Sequence, residues 1–399
     1  MSICNYDECT GCAACLNVCP VHCITFKEDD EGFLRPFINE SKCIKCGKCV
    51  KTCPANGGNN FNYSKNDMKA YAYINDDLET LRGSASGGAF SVLAKKILEE
   101  NGVVFGACYE NKFTVIHKGI TREEQLQLLR DSKYVQSNIK NTYIEAKKYL
   151  EQGRLVLFTG TPCQIAGLYS TINYKKYNNL YTIDILCHGV PNPKIFREYI
   201  TYLEEKYGKI EKYTFRDKSK WGWGSWGSFI YNDKCTGKEK KKNFIVPTDY
   251  YYSLYFKDIN LRESCYKCKY TTIPRVADLT LGDYWGIDEV MPNIKSKDGV
   301  SLILVNSAQG EKLISSLQLS EKSGMYQTRL DDAIRHNITI VSATKRPKGR
   351  DDFYKNLNKY GFENTAKMYC KLKHREVLSL YVPRKLKIKI KKILRGIKK

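Results

Sequence analysis

Two cysteine runs with the same spacing, offset by 34 residues, constrain this chain more than any other feature. The runs are Cys9-x2-Cys12-x2-Cys15-x3-Cys19-Pro20 and Cys43-x2-Cys46-x2-Cys49-x3-Cys53-Pro54. Such runs are typical of segments that bind two [4Fe–4S] clusters, where the fourth thiolate of each run ligates the other cluster. We therefore expect one cluster on Cys9, Cys12, Cys15 and Cys53, and a second on Cys43, Cys46, Cys49 and Cys19.

The alternatives for these cysteines fit the sequence less well. Structural zinc usually takes two CxxC pairs, and a disulfide framework requires a secreted chain. The first residues lack the basic and apolar regions of a signal peptide, and the chain has no apolar run of 18 residues. We therefore expect a cytoplasmic protein whose 17 cysteines are reduced, and a chain that transfers single electrons.

Positive charge is distributed unevenly along the chain. The net charge is +22, yet residues 1–60 carry six basic and seven acidic side chains, whereas residues 384–399 carry nine basic and none acidic. A nucleic acid is the obvious polyanionic partner, but no zinc-finger, RRM or helix-turn-helix signature accompanies the charge. We therefore expect no nucleic-acid binding.

The C-terminal residues 384–399 combine this charge with an apolar repeat. The repeat consists of Leu386, Ile390, Ile393, Leu394 and Ile397. As a helix, the segment would have one apolar stripe and a basic remainder, which is typical of helices that lie on anionic membranes. The alternative is a disordered basic tail. The helical interpretation would place the protein at the inner face of the membrane.

The rest of the chain divides at a polar linker, Gly57-Gly58-Asn59-Asn60, which ends a module spanning residues 1–60. Beyond the linker, the hydrophobic pattern predicts strands at 70–74, 103–109, 113–120, 155–158, 181–186, 276–281 and 301–305. It predicts helices at 86–100, 121–130 and 143–152, with Thr121 and Glu124 as a capping box. This alternation predicts an α/β body, in two parts at 68–150 and 151–310, and a helical region at 311–383.

Four further cysteines follow predicted strands or form a CxxC pair. Cys163 lies in Gly160-Thr161-Pro162-Cys163-Gln164, Cys187 ends the next strand, and Cys265 and Cys268 form the pair. Loops at strand carboxyl ends are where α/β sheets build their sites. The four thiolates could hold a third [4Fe–4S] cluster or zinc, or they could be structural and incidental. We expect Cys4, Cys23, Cys108, Cys235 and Cys370, which have no partner at motif spacing, to be core or incidental residues.

Two glycine-rich segments have different interpretations. Gly83–Gly88 precedes a predicted helix, where backbone N–H groups can approach a phosphate, although a flexible loop is the alternative. Gly222–Gly227 matches G-x-G-x-x-G but follows a charged stretch and precedes a non-helical one, so it is not a dinucleotide fingerprint. We expect its tryptophans to pack over a planar ligand or at the edge of the core.

Seven motifs occur in an order that resembles a known family. They are Ser84-Ala85-Ser86-Gly87-Gly88, Ser132-Lys133-Tyr134-Val135-Gln136-Ser137, Gly160-Thr161-Pro162-Cys163-Gln164, Cys187-His188-Gly189-Val190-Pro191, Phe215-Arg216-Asp217-Lys218, Cys265-x2-Cys268 and Leu279-Thr280-Leu281-Gly282-Asp283-Tyr284-Trp285-Gly286. Residues 70–310 resemble the beta subunit of coenzyme F-420 hydrogenase/dehydrogenase, here preceded by a fused two-cluster ferredoxin.

The resemblance implies an α+β ferredoxin module followed by a larger α/β flavin/iron–sulfur domain with a helical C-terminal part. The beta subunit in that family holds FAD and one [4Fe–4S] cluster, whose ligands would here be Cys163, Cys187, Cys265 and Cys268. The candidate flavin contacts would be Ser84, Ser86, Gly87, Gly88, Lys133, Gly282 and Asp283.

The resulting hypothesis is a flavin-dependent iron–sulfur oxidoreductase with an electron-transfer protein as partner, because a flavin links hydride chemistry to single-electron chemistry. The resemblance to fused bacterial members suggests a role in surface-polysaccharide biosynthesis. The alternatives are a non-catalytic electron-transfer subunit and a cluster-bearing scaffold for a partner enzyme. At the sequence level, the substrate, the direction of electron flow, the choice of FAD or FMN and the use of coenzyme F-420 stay open.

Overall fold

The computed structural model describes residues 2–57, 68–317 and 324–371. No helix in these three ranges combines the length and apolar character that crossing a bilayer requires. The predicted amphipathic tail at 384–399 and residues 58–60 of the predicted linker lie outside the described residues. The membrane interpretation of the tail therefore stays a prediction.

The N-terminal module is small and is built around its cysteines. After a 3-10 helix at Tyr6–Glu8, its elements are α1 (Ala14–Asn17), β1 (Ile24–Glu28), β2 (Leu34–Ile38) and α2 (Lys48–Thr52). The strands pair antiparallel, with Ile24 opposite Ile38. The buried centre of the module consists of Ile3, Cys15, Cys19, Cys23 and Ile24. Such a core is small for a separately folding module.

The remaining strands form two sheets. They are β3 (Lys69–Ile74), β4 (Val103–Tyr109), β5 (Val115–Ile120), β6 (Val156–Gly160), β7 (Leu180–Ile185), β8 (Ile210–Thr214), β9 (Trp226–Asn232), β10 (Glu239–Ile245), β11 (Leu279–Asp283), β12 (Ser301–Val305) and β13 (Gly324–Thr328). Strands β8, β9 and β10 form an antiparallel three-stranded sheet. The other eight form one mixed sheet in the order β13-β3-β12-β11-β7-β6-β4-β5.

The four central strands of the large sheet determine where a site can form. Strands β4, β6, β7 and β11 are mutually parallel, whereas the outer pairings are antiparallel. The carboxyl ends of the parallel strands therefore meet at one edge of the sheet. In α/β proteins this edge is where ligands bind.

Helices cover both faces of the large sheet. The helices that follow α2 are α3 (Leu78–Arg82), α4 (Ala89–Glu99), α5 (Leu126–Leu129), α6 (Thr142–Glu151), α7 (Pro162–Thr171), α8 (Pro193–Tyr207), α9 (Tyr250–Phe256), α10 (Ile287–Val290), α11 (Ala308–Ser315), α12 (Leu330–His336) and α13 (Arg350–Tyr369). Helix α4 packs on the face that carries Val104 and Leu157, and α6 and α7 pack on the face that carries Val103 and Phe158. This alternation follows from the two-residue period of a strand.

The predicted mixed α/β architecture is present, with a small N-terminal sheet and a large eight-stranded sheet flanked by helices. Several local predictions differ from the structure. The strand predicted at 276–281 is β11, which begins three residues later and ends at Asp283. The helix predicted at 86–100 begins at Ala89, because the preceding residues form a loop. The helix predicted at 121–130 is a 3-10 turn followed by α5, and Thr121 donates its N–H to Gln125 instead of capping a helix. The region predicted to be helical contains β13, which pairs with β3 at the sheet edge.

Candidate functional site

The cysteines of the N-terminal module line two small cavities of about 20 Å³ each. One is lined by Cys43, Cys46, Cys49 and Cys19, which we call the outer set. The other is lined by Cys9, Cys12, Cys15 and Cys53, which we call the inner set. Each set takes its fourth thiol from the other run, the same grouping that the spacing predicts.

Two cysteines that had no motif partner also lie at these cavities. Cys23 lines the outer cavity, and its Sγ lies 3.5 Å from that of Cys19, which also accepts the Cys23 N–H. Cys4 lines the inner cavity, where hydrogen bonding to Cys53 and Cys9 raises the pKa of its thiol. Cys4 and Cys23 therefore lie beside the cysteine sets, a position that the expectation of a core or incidental role did not include. Nothing in their spacing could have shown this, since the fold of the module brings them there.

The four body cysteines line a third cavity, of about 90 Å³, and we call them the body set. Cys163 stands in the first turn of α7, and Cys187 follows β7. Cys265 lies on a 3-10 helix at Glu263–Lys267 and receives a hydrogen bond from the Val190 N–H, and Cys268 follows that helix. Four elements distant in sequence thus bring four thiols around one space.

The donor set of the body set, four thiols, is one that both [4Fe–4S] clusters and structural zinc use. Within the three described ranges, no group of three or more His, Cys, Asp or Glu side chains could hold a single metal ion. A tetrahedral zinc would bring its four sulfurs to about 3.8 Å from each other, whereas a four-iron cube spaces them more widely. Burial raises the pKa of Cys163 to about 12 and that of Cys265 to about 11, so thiolates here require nearby positive charge.

A larger cavity, of about 310 Å³, lies at the carboxyl edge of the parallel strands. Six of the predicted flavin contacts line it: Ser84, Ser86, Gly88, Lys133, Gly282 and Asp283. Ser84, Ser86 and Gly88 precede α4, and Gly88 has a φ of +87° as its N-cap. Backbone N–H groups at the start of this 11-residue helix can bind an anion.

Gly87, the remaining predicted contact, is not among the residues that line this cavity. Its N–H donates to Ser301 Oγ at 2.9 Å, and its carbonyl accepts the Asn75 N–H at 2.8 Å. A Cβ at this position would lie 2.1 Å from the Tyr73 carbonyl oxygen. Gly87 therefore fixes the loop against β3 and β12, and it acts on the cavity only through its neighbours.

One wall of the large cavity carries cationic side chains. Lys133 and Arg130 line it together with Asp131. The Lys133 ammonium donates to the carbonyls of Leu128, Arg130 and Asp131, and burial lowers its pKa to about 8. This lysine is therefore charged at neutral pH and loses its charge under mildly alkaline conditions.

The opposite wall is fixed by Asp283 at the end of β11. Arg216 and the Trp223 indole each donate to its carboxylate at 2.8 Å. Trp223 stacks on Trp285, with ring centroids 4.8 Å apart and planes 3° from parallel. The tryptophans of the segment Gly222–Gly227 are expected to pack either over a planar ligand or at the edge of the core. Trp223 packs at the edge of the core.

A buried polar group that the sequence motifs do not include completes the lining. His117 Nδ1 lies 2.9 Å from Ser137 Oγ, and Nε2 lies 2.9 Å from the Thr159 carbonyl oxygen. Burial lowers the pKa of His117 to about 4, so the ring is neutral. Because a carbonyl only accepts, Nε2 carries the proton and Nδ1 accepts from Ser137. Ser137 and Gln164 belong to quoted motifs, but no sequence signal marks His117.

The cavities adjoin one another in a row. The large cavity and the body-set cavity share Cys187, His188, Gly189 and Val190. The body-set and inner-set cavities share Thr10 and Ala55. Helix α7 packs closely against the inner set because Gly167 has no side chain there. A Cβ on Gly167 would lie 3.2 Å from Cys12 Sγ. Cys15 of the inner set and Cys19 of the outer set lie in one buried cluster. The order along the row is therefore the outer set, the inner set, the body set and the large cavity.

Buried arginines hold the N-terminal module on the body. Arg262 is fully buried and donates to the Cys9 carbonyl at 2.7 Å, the Leu34 carbonyl at 3.1 Å and Gln136 at 3.0 Å. Arg350, also buried, binds both oxygens of Glu31, at 2.7 and 2.5 Å. The position of the inner set relative to the body set is therefore fixed by two guanidinium groups that solvent does not reach.

Comparison with known proteins confirms the resemblance drawn from the motifs. Residues 153–328 match the family model for the C terminus of the coenzyme F420 hydrogenase/dehydrogenase beta subunit, and residues 8–56 and 35–86 match two 4Fe-4S dicluster domain models. These matches support an iron–sulfur electron-transfer oxidoreductase.

Among solved structures, the chain is similar to one in the xenon-derivatised F420-reducing [NiFe] hydrogenase complex from Methanosarcina barkeri. That match has 15% identity and a TM-score of 0.43, and it covers 77% of this chain and 91% of the other. No curated protein matches the chain significantly.

Proposed function

We propose that this chain, in which a dicluster ferredoxin module precedes the C-terminal domain of a hydrogenase/dehydrogenase beta subunit, is a flavin-dependent oxidoreductase with three [4Fe–4S] clusters. The observation that carries the proposal is the row of adjoining cavities, three of them each lined by at least four cysteines. In this proposal the outer, inner and body sets each hold one cluster, and the row provides a route for single electrons between the module surface and the large cavity.

The large cavity is the proposed FAD site. Its volume of about 310 Å³ is within the range of small-molecule sites. Ser86 and Gly88, just before α4, would bind the diphosphate through backbone N–H groups, and Lys133 would supply positive charge. The Ser84 N–H already donates to the Leu81 carbonyl, so Ser84 would line the site without binding the diphosphate through that group. Asp283, which Arg216 and Trp223 hold in place, would orient the ring system from the opposite wall.

When bound, FAD would supply the exchange between a hydride and two single electrons. The residues of the chain would orient the cofactor beside Cys187, which lines both the large cavity and the body-set cavity. His117, neutral and with its proton directed at the Thr159 carbonyl, would present no charge to the cavity. The proposed substrate is a hydride donor or acceptor, and surface-polysaccharide biosynthesis is a proposed context that rests on the family resemblance alone.

The proposal is tested by the cofactor content of anaerobically reconstituted protein. The chain should contain about twelve irons and retain FAD through gel filtration. Cys265→Ala should lose about four irons while both ferredoxin-type EPR signals persist. Cys235→Ala is the matched control, because Cys235 is exposed and lies at none of the cysteine cavities described above.

An unchanged iron content in Cys265→Ala would refute the third cluster. If the chain retains neither FAD nor FMN, the enzyme proposal fails and the electron-transfer subunit or the scaffold takes its place. Since iron and flavin are counted separately, the two parts of the proposal can fail independently.

A further inference from the structure

The charges of the N-terminal module are segregated although their sum is nearly zero. Four of its seven acidic side chains form ion pairs with the body: Asp7 with Lys267 (3.7 Å), Glu8 with Lys269 (2.7 Å), Glu28 with Arg197 (2.5 Å) and Glu31 with Arg350 (2.5 Å). Asp29 pairs within the module with Arg35 at 2.8 Å. Most of the acidic charge is therefore engaged on the side that faces the body.

Four of the module's five lysines lie along its second cysteine run. Lys42, Lys45, Lys48 and Lys51 are all exposed, and we call them the outer lysine rim. They alternate with Cys43, Cys46 and Cys49 along the second cysteine run, and Lys45 and Lys48 line the outer cavity. Glu40 is the only acidic residue between positions 39 and 53. The surface over the outer set therefore carries a net positive charge.

The centre of this surface is apolar and accessible. Ile44 is 61% exposed and Val21 is 37% exposed, and both line the outer cavity. Cys46 is exposed, whereas Cys12 and Cys15 of the inner set are buried. An apolar centre within a charged rim is the usual composition of a transient protein interface. The outer set thus contains an exposed thiol that an external protein can approach.

We propose that the outer lysine rim docks an acidic one-electron carrier protein, with Ile44 and Val21 at the centre of the contact. The inference rests on the proposed function, because it takes the outer set to hold a cluster. One electron leaves the reduced carrier and enters that cluster, so the carrier is oxidised and no bond or proton changes. Opposite charge on the two surfaces would increase the encounter rate and orient the carrier with its cofactor toward Cys46.

The test is anaerobic stopped-flow reduction of the reconstituted full chain by a reduced two-[4Fe–4S] ferredoxin of strongly negative net charge. The test variant is Lys45→Glu/Lys48→Glu. The control variant, Lys238→Glu/Lys242→Glu, makes the same charge change at two exposed lysines on and beside β10. Equilibrium titration with dithionite measures how many electrons each protein accepts, independently of docking.

The rim variant should react about tenfold or more slowly at low ionic strength, and its rate should depend less on salt. The control should keep the rate and salt dependence of the unsubstituted chain. If charge reversal at the rim leaves the rate unchanged, or if the control slows equally, the proposal is wrong. If even the unsubstituted chain accepts no electrons from dithionite, the proposed function fails as well. If the chain accepts the normal number of electrons from dithionite but charge reversal at the rim does not change its rate of reduction by the ferredoxin, only the docking surface is wrong.

Discussion

Arg262 offers a sharp test of the proposed electron route, because it is the buried cation nearest the inner set. Its Nη2 lies 3.5 Å from Cys9 Sγ, and its Nε donates to the Cys9 carbonyl. A positive charge at this position stabilises the reduced form of a cluster, which is the more negative form. Replacing Arg262 with Met should therefore lower the midpoint potential of the inner cluster.

The size of the shift follows from Coulomb's law. An added electron is shared over the whole cluster, so its mean distance from the guanidinium is roughly 6 Å, and at an effective dielectric constant of about 20 the interaction is about 2.8 kcal/mol. For a one-electron couple, this corresponds to a shift on the order of 100 mV. The variant also removes the Arg262 donor from the Leu34 carbonyl, at a cost of about 1–3 kcal/mol in the free energy of unfolding. The Cys9 carbonyl loses its shorter hydrogen bond and keeps Arg35 Nη1 at 3.4 Å.

The assay is an EPR-monitored redox titration of reconstituted protein, with iron content as the check on assembly. Arg262→Lys is the matched variant, because it keeps the charge and removes the forked hydrogen bonds. It should destabilise the chain while retaining most of the potential. The outer cluster provides an internal control and should not shift. The reasoning is refuted if Arg262→Met, fully loaded with iron, keeps the inner potential, or if Arg262→Lys lowers it as much as Arg262→Met.

Two further predictions concern the packing of the row and its cofactor cavity. Gly167→Ala should lower the free energy of unfolding by about 1–3 kcal/mol, because its Cβ would crowd Cys12. Chemical denaturation measures this. Gly349→Ala should cost less, because within the described ranges its Cβ would meet Tyr369 alone, at an ordinary contact distance of 3.6 Å, and the change affects only the N-cap of α13. FAD affinity should fall as pH rises through about 8, because Lys133 loses its proton there and with it the charge that binds an anion. Fluorescence titration should show that Lys133→Met binds FAD more weakly at neutral pH and that its affinity does not fall as the pH rises. If the affinity of the variant fell with pH as it does in the unsubstituted chain, Lys133 would be excluded as the cause.

The grouping of the module cysteines could be predicted because it depends on local geometry. Three thiols at two-residue gaps converge, and the proline turn after the fourth directs it to the other set. The positions of Cys4 and Cys23 depend on how the module folds back on itself, which no spacing encodes. The strand ends and the CxxC pair pointed to the four cysteines of the body set but left a cluster, zinc and incidental roles open, since Cys163 and Cys265 meet through long-range packing; only the family resemblance favoured one of these.

The difference between local geometry and long-range packing also explains the errors in the predicted secondary structure. The pattern around Leu126 and Leu129 is amphipathic, but both side chains are buried by a single helical turn, so the longer predicted helix is not required. Strand β13 is an edge strand whose only strand partner within the described ranges is β3, more than 240 residues earlier in the chain. His117 lies in a strand and belongs to no motif, so only the structure shows that it faces the large cavity.

The arginine anchors of the module also have a consequence for the order of assembly. The module precedes the body along the chain, so Arg262 and Arg350, which hold it on the body, are synthesised much later than its cysteines. The inner set stays uncovered until α7 and Arg262 emerge, and Glu31 gains its ion pair only when Arg350 of α13 follows. Folding from the N terminus during synthesis therefore leaves a long interval in which the module's cysteines are accessible for cluster insertion. The interface between the module and the body is therefore completed only when α13, near the end of the described residues, has been synthesised.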